Sequence, residues 1–255
     1  MTLIALTRDV SPAIAQCELT HLERTPIDLE IARAQHGVYE HCLETAGCVV
    51  QRLEAGADMP DSVFIEDIAV VFDEIAVIAR PGAASRRAET PPVADAVARM
   101  RPVRRIEPPG TLDGGDVLRV GRTVFVGCSG RTNSAGVGQL RCALRPLGYD
   151  VREVEVRGCL HLKSAMTAAS DTVLVVNRAW IPTADLTGFE IVDVHPGEPY
   201  GANVLQVADH VIHAAAFPRT RERLEQLGIR VESVDLSELA KAEGAVTCCS
   251  ILIPA

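Results

Sequence analysis

Short apolar runs rich in Val, Ile and Leu recur along the chain in pairs separated by brief polar turns: Ser62–Val71 with Ile75–Ala79, Asp116–Val120 with Thr123–Val126, and Asn203–Val207 with His210–His213. Runs of this length and β-branched content predict hairpins. An arginine-bearing turn follows each pair, at Pro81–Arg87, Gly127–Thr132 and Ala216–Thr220. Helical periodicity comes next, as in Ser134–Leu147 and Arg221–Leu227. The predicted unit is therefore hairpin, turn, helix. Ala245–Ile253 reads as one more buried strand, carrying two adjacent thiols, Cys248 and Cys249. Successive strand side chains point to opposite faces, so one sulfur enters any pocket there and the other packs behind it.

Polar residues at one point of each unit fix the register. Asp67, Asp116, His161, Asn203 and Cys248 are spaced by 49, 45, 42 and 45 positions, which implies five units in 255 residues. Five such units suit a closed ring, and a ring brings equivalent positions to one axis. A thiol, an imidazole and carboxylates distant in sequence then converge at one mouth. No linker or low-complexity tract interrupts the repeat, so residues 1–255 are expected to form a single domain.

Composition narrows the function. With 47% hydrophobic and only 4% aromatic residues, the core must come from small aliphatic side chains, and base stacking has few candidates. A net charge of −9, from 25 Lys and Arg against 34 Asp and Glu, argues against nucleic acid and favours a cationic small ligand. The chain has no leader-like N-terminus and no long apolar run, so a cytoplasmic protein without membrane association is expected. The eight cysteines include no C-x-x-C pair, which speaks against a zinc finger or a thioredoxin-like motif.

Several polar residues admit two readings. Asp113 and Asp116, in Thr111–Asp116, suit a tight turn as well as a site. His161 suits a hydrogen-bonded core as well as catalysis. Glu66 and Asp67 are harder to place passively, because two adjacent acids in an apolar run send at least one carboxylate inward, where it needs a cation.

Taken together and in order, Pro60–Asp67, Arg80–Arg87, Thr111–Asp116, Ser129–Asn133, Leu160–Lys163 and Thr247–Ser250 resemble the dimethylarginine dimethylaminohydrolases, guanidino-group-modifying enzymes of the pentein superfamily, over essentially the whole length. The resemblance implies a five-bladed α/β propeller of ββαβ-type modules with pseudo-fivefold symmetry, in agreement with the repeat count. It implies that Cys248 is the nucleophile, His161 the general acid and base, and Asp113 the residue that orients His161. Glu66 and Asp67 would hold the guanidinium, Arg86 and Arg131 the substrate α-carboxylate, and Asp61 with the backbone near Leu19 the α-amino end. Glu243, where family members often carry Asp, joins the implied substrate contacts.

The implied reaction is hydrolysis of Nω-methylated arginine, asymmetric dimethylarginine or monomethylarginine, to citrulline through a covalent thiouronium on cysteine. It needs no metal or organic cofactor, although a Cys-His pair is also able to bind zinc. A small cationic substrate is then the main partner, with the protein a monomer or homodimer. Arginine deiminases resemble the chain less well, because their His-Leu-Asp motif reads His161-Leu162-Lys163 here. A non-catalytic propeller that binds a partner would not need the Cys, His and Asp set, and a redox or zinc-sensing pair of cysteines is a third reading.

Overall fold

The structure, a computed structural model, describes residues 2–255. The chain begins with β1 (Leu3–Arg8), helix α1 (Leu29–Thr45) and β2 (Cys48–Leu53), with β2 parallel to β1. In the next unit β3 (Ala69–Val71) and β4 (Ala76–Ile78) form an antiparallel pair, α2 (Thr90–Ala98) crosses over, and β5 (Val103–Arg105) lies parallel to β4. The same pattern is repeated by β6 (Val117–Val120), β7 (Thr123–Cys128), α3 (Ser134–Leu144) and β8 (Asp150–Glu155). A third unit opens with the single turn α4 (Leu162–Ala165) and contains β9 (Met166–Ala168), β10 (Val173–Val176) and β11 (Glu190–Asp193), joined by an irregular crossover. The fourth comprises β12 (Val204–Val207), β13 (His210–Ala214), α5 (Pro218–Gln226) and β14 (Arg230–Val234). After the short α6 (Ser237–Ala240), β15 (Ile251–Pro254) pairs antiparallel with β1, so the fifth three-stranded sheet is assembled from both ends of the chain.

Residues of β3, β6, β9, β12 and β15 line one shared cavity of about 240 Å³. These five first strands therefore surround a common axis, as the repeat spacing implied. Helices pack on the outer strands of four units, and the two longest have side-chain caps at their starts. Asp28 caps α1 by accepting the Glu30 and Ile31 N–H groups, and Asn133 caps α3 by accepting from Gly136. Strands buried on both faces read as unbroken apolar runs, and all four residues of β10 are buried. Between the closing sheet and its neighbour, Leu6, Ile65, Ile78, Val93, Ile251 and Ile253 share one core. Burying each such side chain contributes about 1.5–3 kcal/mol.

The strand boundaries differ from expectation at the functional positions. Ser62–Val71 was expected as one strand, but Ile65–Ile68 is a 3-10 turn and the strand starts at Ala69. Gly114–Asp116 is likewise a 3-10 turn ahead of β6. Val246–Cys249 lie in turns, and only Ile251–Pro254 of the expected Ala245–Ile253 strand is extended. One helical turn at the head of an inner strand holds too few residues to show any periodicity. Among the described residues, no helix is long and apolar enough to cross a membrane.

Candidate active site

The helical turns at the heads of the inner strands place their polar side chains around a cleft. Its walls include Glu18, Asp61, Asp67, Arg86, Arg131, Leu160, His161, Glu243 and Cys248, and its free volume is about 20 Å³. Cys248 is partly exposed to this cleft, whereas Cys249 is fully buried in the core. The two sulfurs are thus placed apart as expected, for a reason other than strand alternation. The Cys248 N–H donates to Ala245 O at 3.1 Å, and this tight turn sends the two sulfurs apart. Asn203 braces that turn, its Oδ1 accepting the Thr247 N–H at 3.1 Å and its Nδ2 donating to Thr247 Oγ1 at 3.0 Å.

His161 is held on both sides of its ring. Asp113, fully buried, lies 3.1 Å from Nε2, and Asp67 lies 3.8 Å from Nδ1. Asp113 is itself fixed, its Oδ1 accepting the Gly82 N–H at 2.8 Å. Asp116 accepts the Leu162 N–H at 2.9 Å and the Ser129 hydroxyl at 2.5 Å, so it sets the start of α4 directly after His161. Gly115 is required here, because a Cβ would stand 2.6 Å from His161 Nδ1 and 2.8 Å from Asp67 Oδ1.

The electrostatics follow from this packing. Burial alone would depress the His161 pKa, but Asp67, Asp113 and Asp116 outweigh it and raise it to about 9. Burial alone would raise Asp67, but His161, Arg86 and the Gly115 N–H hold it down at about 2. Burial pushes the Cys248 thiol far up, and the carboxylates of Glu66 and Asp67 push it further. Both shifts favour a neutral thiol beside an imidazolium. Asp67, Asp113 and His161 offer ligand atoms within 4.8 Å of one another. In this structure the three pair with one another and with Arg86.

Three of the expected substrate contacts have protein partners in this structure. Glu66 was expected to hold the guanidinium; its carboxylate instead accepts from Lys163 Nζ at 2.6 Å and Thr247 Oγ1 at 2.8 Å, and it lines the cavity enclosed by the inner strands. Adjacent residues on a 3-10 turn diverge by about 120°, so Glu66 and Asp67 take different hydrogen-bond partners although both lie near Cys248. Arg86 was expected to bind a carboxylate of the substrate. It does border the cleft, but Nη1 donates to Asp67 at 2.5 Å, while Nε and Nη2 bond Glu89 at 3.1 and 2.9 Å. With Phe64 O also accepting from Nη2, at most one Nη1 hydrogen is unspent. Glu243, expected among the substrate contacts, borders the cleft, and its carboxylate accepts the N–H groups of Thr20, His21 and Leu22.

The remaining positions stand at the rim. Arg131 donates to Thr20 Oγ1 at 3.0 Å, and among the described residues no carboxylate pairs with it. Asp61 accepts the Glu18 N–H at 3.2 Å, and burial raises its pKa against the pull of Arg86. Leu19 is half-buried and packs against the same core as Cys248. Sequence reasoning missed Glu89 and the bracing Asn203 contacts. Glu89 had a signal, standing one helical turn after Arg86.

No protein-family model matches the chain. The chain is 44% identical over 249 residues to the N(G),N(G)-dimethylarginine dimethylaminohydrolase of Streptomyces coelicolor, covering 97% of this chain and 95% of that protein. Among solved structures, a mutant of the Pseudomonas aeruginosa enzyme complexed with citrulline superposes with a TM-score of 0.93 at 33% identity, over 99% of this chain and 98% of that one. A dimethylarginine dimethylaminohydrolase adduct with S-methyl-L-thiocitrulline superposes with a TM-score of 0.92 at 33% identity, over 99% of both chains.

Proposed function

The chain belongs to the dimethylarginine dimethylaminohydrolase family, and from that premise we propose that it hydrolyses Nω-methylated arginine to citrulline and a methylamine in the cytoplasm. The observation that carries the reading is Cys248, a partly exposed thiol in the same narrow cleft as an imidazole clamped between Asp113 and Asp67.

A guanidinium carbon is a weak electrophile, so attack requires a thiolate held at close range. The resting Cys248 thiol is protonated, and the carboxylates around it keep it so. A cationic guanidinium entering beside Asp67 offsets that field and lowers the thiol pKa, so substrate activates its own nucleophile as the thiol proton leaves to solvent. Sulfur then bonds to the guanidino carbon and the electron pair moves onto nitrogen. Breakage of the C–N bond expels the methylamine, which takes the proton from His161. Neutral His161 next removes a proton from water, hydroxide adds to the thiouronium carbon, and the C–S bond breaks with the hydroxyl proton passing to sulfur, which leaves citrulline and restores the Cys248 thiol. The structure of a related enzyme as an adduct with a thiocitrulline supports a covalent route.

Lys163 supports methylated over free arginine. Position 163 therefore offers a guanidinium no carboxylate, its ammonium pairing with Glu66 at 2.6 Å, while Asp67 lines the cleft. The test supplies asymmetric dimethylarginine, monomethylarginine and arginine separately to purified protein and follows citrulline. Turnover of the two methylated substrates is expected to exceed that of arginine, and equal or faster use of arginine refutes the assignment.

The pH dependence has a definite sign. His161 must be protonated to expel the amine, so kcat/KM is expected to fall as pH rises through about 9, read from a pH-rate profile. The same group is linked to stability. Its folded-state pKa lies above the ordinary 6.5, so its stabilising contribution is fully present below that value and is lost as pH rises through about 9.

A further inference from the structure

We propose that Glu243 is a latch that holds the segment Thr20–Leu22 closed over the cleft, a positioning residue for the reaction rather than a ligand to the guanidinium. Three successive backbone N–H groups converge on this one carboxylate, Thr20 at 3.0 Å and Leu22 at 2.7 Å with His21 between them. Consecutive N–H groups gathered in this way form an anion-binding concavity, and here the chain supplies its own anion. The latch residue lies more than 220 positions away in sequence, so the contact is tertiary and not a local turn.

The backbone of Glu243 supports a dedicated role. Its φ is +59°, in the left-handed region that non-glycine residues occupy only when surrounding contacts hold them there. Other rim groups hold the same segment: Asp61 accepts the Glu18 N–H, Ser85 donates to Glu18, and Arg131 donates to Thr20. The adjoining cleft, walled by the segment's partners Arg131 and Glu243, has about 20 Å³ free, close to the space of a single water and far below that of an arginine derivative. The segment must therefore open for each substrate and close again for chemistry. Glu243 also borders an adjoining apolar cavity of about 340 Å³ whose walls include His21 and Leu22, so the latch stands where the moving segment meets open space.

Hydrogen exchange at the Thr20–Leu22 amides, measured without substrate, tests the latch independently of the proposed hydrolysis. In Glu243→Ala and Glu243→Asp these amides are expected to exchange about tenfold faster than in the unaltered protein, with the inner-strand amides unchanged. Tryptic cleavage after Arg24 should accelerate in parallel. The aspartate variant is decisive, because it keeps the charge but falls one methylene short of the segment. A role resting on the charge alone would tolerate that change.

The kinetic half rests on the proposed function. KM for asymmetric dimethylarginine is expected to rise about tenfold with kcat within about twofold, because the closed state is weakened and the chemistry is not. Unchanged amide exchange in both variants, or a fall in kcat with the amides still protected, overturns the latch. Should Glu243→Ala fail to fold, Glu243→Asn tolerates the left-handed backbone and makes the same measurement. Faster exchange in a protein that turns over no methylarginine would refute the hydrolase reading and leave the latch standing.

Discussion

Cys248→Ser is expected to lower citrulline formation from asymmetric dimethylarginine by on the order of 10⁴-fold or more. A hydroxyl is far harder to ionise than a thiol. The carboxylates of Glu66 and Asp67, which already oppose ionisation of the sulfur, oppose an alkoxide more strongly. Cys249→Ser provides the contrast. That sulfur is fully buried and its nearest polar neighbour is Ala245 O at 3.7 Å, so a hydroxyl there costs about 1–3 kcal/mol of stability without touching the cleft. Turnover per folded molecule should be retained, with folding followed by circular dichroism. Loss of turnover in the folded Cys249 variant, or its survival in the Cys248 variant, would reverse the assignment.

Arg86→Ala is expected to destabilise the fold by about 3–5 kcal/mol, the cost of leaving buried carboxylates without their cation. Asp67 and Glu89 both depend on this guanidinium, and each is at most 4% exposed. The variant should show a lower urea midpoint at neutral pH, and replacing Glu89 with Gln in the same background should recover part of the loss. Arg131→Ala should behave differently. With no carboxylate partner and its position at the rim, its removal is expected to change stability by less than about 0.5 kcal/mol while raising KM. Equal urea midpoints for the two arginine variants would show that the Arg86 ion pairs contribute little.

The ring was legible because its repeat is carried by polar residues interrupting apolar strands. Asp67, Asp116, His161, Asn203 and Cys248 recur at one point of each unit, and in the structure all five occupy the chain just ahead of, or entering, an inner strand. Hairpins and crossover helices were legible for the ordinary reason that their periodicities extend over enough residues; α3 and α5 fall within a few positions of the expected spans. What stayed hidden was the direction in which single side chains point. Glu66 and Asp67 look equivalent in sequence, yet one 3-10 turn sends the first to Lys163 and the second to Arg86 and His161. The partners of Glu243 had no signal at all, because backbone N–H groups carry no residue identity.

The sheet built from both chain ends also dictates when the site comes into being. During synthesis β1 emerges first but has no antiparallel partner until β15 appears, and Leu3 waits for Pro254. The turn that bears Cys248 immediately precedes that closing strand. Once His161 has been made, the nascent chain thus carries the imidazole and its carboxylates through about the last third of its elongation without a nucleophile. The reactive thiol is delivered together with the seam that seals the ring, so a partly made chain has no means of attacking cellular guanidines.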